Sequence, residues 1–274
     1  MLLDKYDDLI YVIPMTYEET KAAQEQVGTV RWYIENRWGD PEQKDNAYAS
    51  VTRLSNILYG VEEKPVKSAP DEDPMFSYTD LDGVVTPLAK VAIVGGHNRS
   101  APGAWLKPPI NESEFVFNNK VADALIKGDT GNITFKKFNR TPGGGYAAEI
   151  DRVYEQVNKW GPEFIVELHF NGGGGDYTCM LAAEASPMSQ ECAKIMSEFF
   201  ATTLGIRDAG VFKSGPKDRG GRSLYAGQAN TVLTEPFFGD TQHHANMVDS
   251  LRHYGIAYIY LQSITKVLQH LKNK

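Results

Sequence analysis

The chain has 274 residues, 42% of them hydrophobic, enough to bury a sizeable core in one large domain carrying an appendage. Its 35 acidic and 28 basic side chains leave a net charge of −7, which argues against a nucleic-acid partner held mainly by charge. Two cysteines, Cys179 and Cys192, are too few for a disulfide framework and wrongly spaced for a zinc knuckle, so they read as free thiols.

The N-terminus, MLLDKYDDLIYVIPMTYEE, carries acids early and is interrupted by Pro14. It does not read as a secretory signal, so synthesis in the cytoplasm without an export tag is expected. No run approaches the ~20 apolar residues that a membrane span needs. Thr16 and Glu19 make a capping box that predicts a helix to about Trp38. Asp40 and Pro41 then cap a second helix ending near Gly60. Residues 1–85 hold 17 acidic and 8 basic side chains, whereas residues 86–274 hold 18 and 20. The expected organisation is an acidic helical extension over 1–60, a Pro- and charge-rich linker over 61–85, and a catalytic domain over 86–274.

From Lys90 the texture becomes α/β. KVAIVGG predicts a strand, and EFVFNNKVADALIKG a helix with Phe117, Val121, Ala124 and Leu125 on one face. AAEIDRVYEQVNKWG predicts a helix stopped at Gly161-Pro162, and FIVELHF a strand. SQECAKIMSEFFATTLG reads as a helix, TVLTEPFF as a strand, and HHANMVDSLRHYG and IAYIYLQSITKVLQHLKNK as closing helices. Alternating strands and helices imply a central mixed, largely parallel twisted sheet flanked by helices.

The strand FIVELHF raises the chemical question. Alternation puts Phe164, Val166, Leu168 and Phe170 on one face, and Ile165, Glu167, His169 and Asn171 on the other. Polar groups thus gather at the strand's C-terminal end, where open α/β sheets hold their sites. His97 follows another strand, Glu235 lies inside the otherwise apolar VLTEPFF, and Glu112 and Glu114 open a helix. Burying an unpaired carboxylate costs several kcal/mol, so Glu235 calls for a role. Two imidazoles and a carboxylate, with a second carboxylate held off the metal, match a hydrolytic zinc site.

On these motifs residues 90–270 resemble the zinc-dependent N-acetylmuramoyl-L-alanine amidases of the amidase-3 type. VAIVGGHN matches the family's strand ending in Gly-His. Glu114 followed eight residues on by Ala122 matches its helix-opening glutamate, whereas Glu112 would put Lys120 there. LHFN matches its His-x-Asn, and LTEPFFGD its strand glutamate. The resemblance implies one Zn2+ held by His97, Glu114 and His169, with Glu235 as the catalytic proton carrier. Asn171 and Arg219 are expected to touch substrate. Arg140 and Arg152 sit where the family often carries arginines. The chain departs from the family at Val94-Gly95-Gly96-His97, where Asp-Pro-Gly-His is usual, and at Glu167, where a small or hydroxyl residue is common. Glu167 is expected to orient a ligand from behind or to form an ion pair.

The implied substrate is peptidoglycan, cut between muramic acid and L-alanine. The alternatives are a zinc peptidase or related amidohydrolase on another bond, and a non-catalytic wall-binding or particle component. A phage setting is implied, with action at the bacterial wall after release or from a particle, and residues 1–60 are a candidate docking element for a partner. Gly172–Gly175 read either as a mobile rim approached by substrate or as a plain flexible loop, and His243 and His244 as surface residues.

Overall fold

AKVAIVG, an apolar run with glycine at its end, forms the strand β1 (Ala89–Gly95) in the computed structural model of the protein, which describes residues 88–128 and 132–274. The expected extension over 1–60 and linker over 61–85 lie outside the described residues. In chain order there follow α1 (Glu114–Lys127), β2 (Ile133–Asn139), α2 (Gly145–Trp160), β3 (Phe164–Leu168), β4 (Thr178–Ala183), α3 (Pro187–Leu204), β5 (Asp208–Ser214), α4 (Gly221–Ala226), β6 (Asn230–Glu235) and α5 (Gln242–Lys272).

Local chemistry sets the helix ends. Ser113 caps α1 by accepting the Val116 N–H, and Gly128 closes it by donating to the Ala124 carbonyl. Ser186 caps α3, whose first residue is Pro187, and Gly205 ends that helix in the left-handed region. The two helices expected at the C-terminus are the two parts of α5, which breaks at Arg252 (φ 57°) rather than at Gly255.

The six strands lie in the order β2-β1-β3-β6-β4-β5. Neighbours run parallel except for β4 against β6, so β1, β3 and β6 end at one edge of the sheet, where β4 begins. This is the mixed, largely parallel sheet that the alternation of elements predicts. The strand alternation also holds. Phe164, Val166, Leu168 and Phe170 belong to the larger core beneath the sheet, which includes Leu125 of α1, Phe200 of α3 and Tyr260 of α5. Ile165 faces the other way, into a smaller core with Ile150, Val153 and Val157 of α2.

Strands β2, β4 and β5 and the short α4 were not among the expected elements. In β2, Lys136 and Lys137 interrupt the alternation, and Phe135 and Phe138 serve opposite cores. TCMLAA in β4 lacks β-branched residues beyond its first position. In β5 the edge position leaves Phe212 and Lys213 exposed, so no buried face marks the sequence.

Candidate functional site

Three chain segments meet at the edge where β1, β3 and β6 end. His97 lies just past β1, His169 just past β3, and Glu114 is the first residue of α1. Glu114 Oε1 is 2.8 Å from His169 Nδ1 and its Oε2 is 3.3 Å from His97 Nε2. The two imidazoles stand edge to face at 4.9 Å between ring centres. The expectation that Glu114 rather than Glu112 joins the histidines agrees with this geometry, since Glu112 pairs with Lys120 on the surface.

Each ligand-type side chain is aimed from behind. His97 Nδ1 donates to the Ala101 carbonyl at 3.1 Å, which turns Nε2 towards Glu114. His169 Nε2 donates to Glu167 Oε1 at 3.1 Å and Nδ1 donates to Glu114 Oε1 at 2.8 Å, so Nδ1 is the nitrogen at which a cation would replace the proton. Glu114 is fixed by two backbone donors, Ala104 N–H on Oε2 at 2.9 Å and Phe170 N–H on Oε1 at 3.0 Å. Glu167, wholly buried, also accepts the Tyr154 hydroxyl at 2.7 Å and the Ser223 hydroxyl at 3.2 Å. It stands on the far side of His169 from Glu114.

Compactness here depends on glycine. A Cβ on Gly96 would come within 2.1 Å of His169 Nε2. A Cβ on Gly103, which is at φ +81°, would come within 2.5 Å of Glu114 Oε2 and 2.7 Å of His97 Cδ2.

The electrostatics follow the geometry. Burial opposes charge on Glu114, but the His169 and His97 hydrogen bonds outweigh it and hold its pKa at about 2. Burial likewise opposes a charged His169, yet Glu114 and Glu167 on its two sides raise it well above the ordinary range. Two imidazoles each with one nitrogen tied back, and a carboxylate held ionised between them, are a donor set suited to a divalent cation of the zinc type. The ligand atoms of His97, Glu114 and His169 lie within 4.8 Å of one another, close enough to share one ion.

Glu235 ends β6 beside this group, on the same sheet face as His169. Its Oε2 is buried and has no hydrogen-bond partner. Burial raises its pKa to about 7, the nearby Glu114 adds to that, and His169 and Arg219 work partly against it. An orphaned carboxylate oxygen that changes charge near neutral pH is what a proton carrier requires.

A cleft of about 780 Å3 opens from His97, His169 and Glu235. Asn171, Arg219 and Arg140 line it. Arg140 is held by Glu149 at 2.9 Å and by the Gly96 carbonyl, and Asn98 donates to the same Glu149 oxygen at 2.8 Å. Asn98 Oδ1 in turn accepts the Ser100 and Ala101 N–H groups, so this buried pair braces the loop whose Ala101 carbonyl orients His97. Arg152 instead donates to the Thr141 and Gly143 carbonyls. Arg222 pairs with Asp151. The bracing role of Glu149 and Asn98 had no signal in the sequence beyond their polarity.

Two expectations change. Gly172–Gly175 are tied down: Asp240 accepts the Gly173 N–H at 2.6 Å and the Gly174 N–H at 3.1 Å, and the Thr241 hydroxyl donates to the Gly175 carbonyl at 2.7 Å. His244 is not a surface residue but fully buried, while His243 is exposed. His244 Nδ1 accepts the Phe238 N–H at 3.0 Å, which places its proton on Nε2, 3.0 Å from Asp176 Oδ1 in a poorly aligned approach. A ring in that tautomer faces Asp176 with a proton, not a lone pair, so the Asp176–His243–His244 group is no second metal site.

These features define a three-layer α/β domain with a His-Glu-His centre at the ends of its parallel strands. No family model and no curated protein matches the chain. Solved structures do. The N-acetylmuramoyl-L-alanine amidase of Clostridium difficile 630 aligns with a TM-score of 0.53 at 16% identity, over 67% of this chain and 98% of its own. The catalytic domain of the CD27L endolysin targeting Clostridia difficile gives 0.51 at 20% identity, over 65% and 97%. The catalytic domain of CwlV, an N-acetylmuramoyl-L-alanine amidase of Bacillus (Paenibacillus) polymyxa var. colistinus, gives 0.51 at 20%, over 66% and 98%. The described domain thus has the fold of amidase catalytic domains. Among the described residues no helix is long and apolar enough to cross a membrane.

Proposed function

We propose that the protein is a zinc-dependent N-acetylmuramoyl-L-alanine amidase, a hydrolase of the amide between muramic acid and the first alanine of the peptidoglycan stem peptide. The observation that carries this reading is the pairing of a pre-aimed His97–Glu114–His169 donor set with the unpartnered Glu235 oxygen beside it. The fold shared with amidase domains supports it.

His97 Nε2, His169 Nδ1 and one Glu114 oxygen would hold the ion. When bound, zinc supplies Lewis acidity to a carbonyl and acidifies water at neutral pH. Glu235 accepts the proton of the attacking water as its oxygen bonds to the carbonyl carbon. It then delivers that proton to the alanine nitrogen as the C–N bond breaks. An amine departs where an amide anion would not, so one carboxylate serves both transfers. Glu167 keeps His169 in the tautomer that leaves Nδ1 free, and Arg219 and Asn171 contact the substrate along the cleft. The site of action is the bacterial wall, with peptidoglycan as the partner.

The test is digestion of purified peptidoglycan by zinc-loaded protein, followed by identification of the new terminus. A new N-terminal alanine, lost in Glu235→Gln, is the expected result. Another new terminus assigns the centre to a peptidase or a different amidohydrolase. No new terminus from a zinc-loaded, folded protein makes the chain a binding component.

A further inference from the structure

Beyond the catalytic centre the cleft continues over a part of the sheet that, among the described residues, no helix covers. Strand pairing fixes its floor: Cys179 lies opposite Glu235, Leu181 opposite Leu233, and Phe212 opposite Leu181. Partners across a sheet share a face, so Glu235, Cys179, Leu233, Leu181 and Phe212 point to one side, that of His169. On this side α4 is only six residues long, and its Leu224 packs over Ala183 and Leu233. Leu181 is left half-buried and Phe212 is 44% exposed, and both line the cleft. The result is an apolar trough leading from Glu235 to β5, the edge strand of the sheet.

Its length has a chemical meaning. From Glu235 to Phe212 the path crosses two strand spacings of about 4.8 Å and descends two residues of about 3.3 Å, roughly 12 Å on the diagonal. An extended chain advances about 3.4 Å per residue, so the trough spans three or four residues. The floor is hydrocarbon and a thiol. A sugar lying on the floor itself would set hydroxyl groups against hydrocarbon, at a cost in lost hydration, while Lys213, Ser214, Asp218 and Arg219 line the cleft around it. An extended peptide can lay alternate side chains on such a floor and turn its backbone towards the rim, where β5 is the last strand of the sheet among the described residues.

We infer that the peptide side of the scissile amide runs along this trough, and that Leu181 and Phe212 make the protein select stem peptides of at least three residues. This rests on the amidase reading. It adds to that reading a direction for the substrate, with the glycan leaving the centre away from β4 and β5, and a specificity determinant remote from the reacting atoms.

The experiment compares kcat/KM on N-acetylmuramoyl peptides carrying one, two, three and four residues. Efficiency should climb at least about tenfold between the two- and four-residue substrates, the usual worth of a well-filled apolar contact. Phe212→Ala should shrink that gain to below about threefold. Ile126→Ala, an exposed change on α1, should leave the gain as it is. Equal efficiency at all lengths, or an equal loss at all lengths in Phe212→Ala, overturns the inference while leaving the amidase reading in place. If zinc-loaded protein cleaves none of these substrates, the amidase reading fails, and the trough is judged by binding. Calorimetry on the Glu235→Gln protein should then show the free tetrapeptide binding at least about fivefold more tightly than the dipeptide, a preference lost with Phe212→Ala. Equal affinities would end the proposal.

Discussion

Glu114 Oε1 sits 2.8 Å from His169 Nδ1 across 55 residues of chain, and the same oxygen accepts the Phe170 N–H at 3.0 Å. One carboxylate thus holds the ligand-bearing turn after β3 through both a side chain and the backbone. A buried carboxylate facing two imidazoles has no apolar equivalent, so the arrangement makes sense as a cation site. The protein as purified should contain about one zinc per chain by elemental analysis, and His169→Ala far less. Chelation should lower the melting temperature, and zinc should restore it. At a thousandfold excess over its dissociation constant, zinc contributes about 4 kcal/mol, or on the order of 10 °C for a domain of this size. No change on chelation, with no metal in the wild type, removes the metal from the account.

As the proposed proton carrier, Glu235 would set function against stability. Its pKa is raised to about 7 by burial, so between the ordinary carboxylate value and 7 the folded state keeps a proton that the unfolded state has released. Its stabilising share is therefore whole below the ordinary value and is lost as pH rises through 7. Glu235→Gln should accordingly melt above the wild type at pH 8, by on the order of 1–3 kcal/mol, with the difference shrinking towards pH 5. Urea denaturation of metal-free protein at the two pH values reads this directly. The same variant should lose about 10²–10⁴-fold in kcat. A variant less stable than wild type at pH 8 would mean that an unseen partner satisfies Glu235.

How much of this was legible beforehand depends on whether a residue's task leaves a local pattern. His97, His169 and Glu235 stood out because each is polar in an apolar strand or at its end, and strand alternation assigns faces without a structure. Glu114 was told from Glu112 through the resemblance, by the alanine eight residues on. The helices α1, α2 and α3 showed in their caps and apolar spacing. What stayed hidden has no local signature. Glu149 and Asn98 act through partners 51 residues apart, and the four glycines look mobile until Asp240, more than 60 residues later, is seen to accept the N–H groups of Gly173 and Gly174. β4 and β5 were hidden because one is poor in β-branched residues and the other is an exposed edge. The apolar trough could not be foreseen without them.

Gly96→Ala tests how tightly the centre is built. The added methyl would meet the His169 ring at 2.1 Å, and neither the ring, held on both nitrogens, nor the backbone of β1 can yield cheaply. The variant should fold, since the clash is confined to the sheet edge, but should bind zinc at least about 100-fold more weakly in a competition with a chromophoric chelator. Native affinity would show that His169 can leave its position without consequence.

Glu167 stands behind His169, one of the proposed ligands. Its Oε1 accepts the His169 Nε2 proton at 3.1 Å, and its carboxylate is completed by Tyr154 and Ser223. Glu167→Gln keeps the shape and an acceptor but removes the charge that makes the imidazole a stronger donor to a cation. Zinc affinity should fall about 10- to 100-fold, the usual effect of losing a carboxylate behind a metal-binding histidine. Tyr154→Phe, which leaves the carboxylate ionised with one fewer donor, should cause a smaller loss in the same direction. If Glu167→Gln binds zinc as the wild type does while Tyr154→Phe unfolds, the network serves packing between α2 and β3 and not the centre.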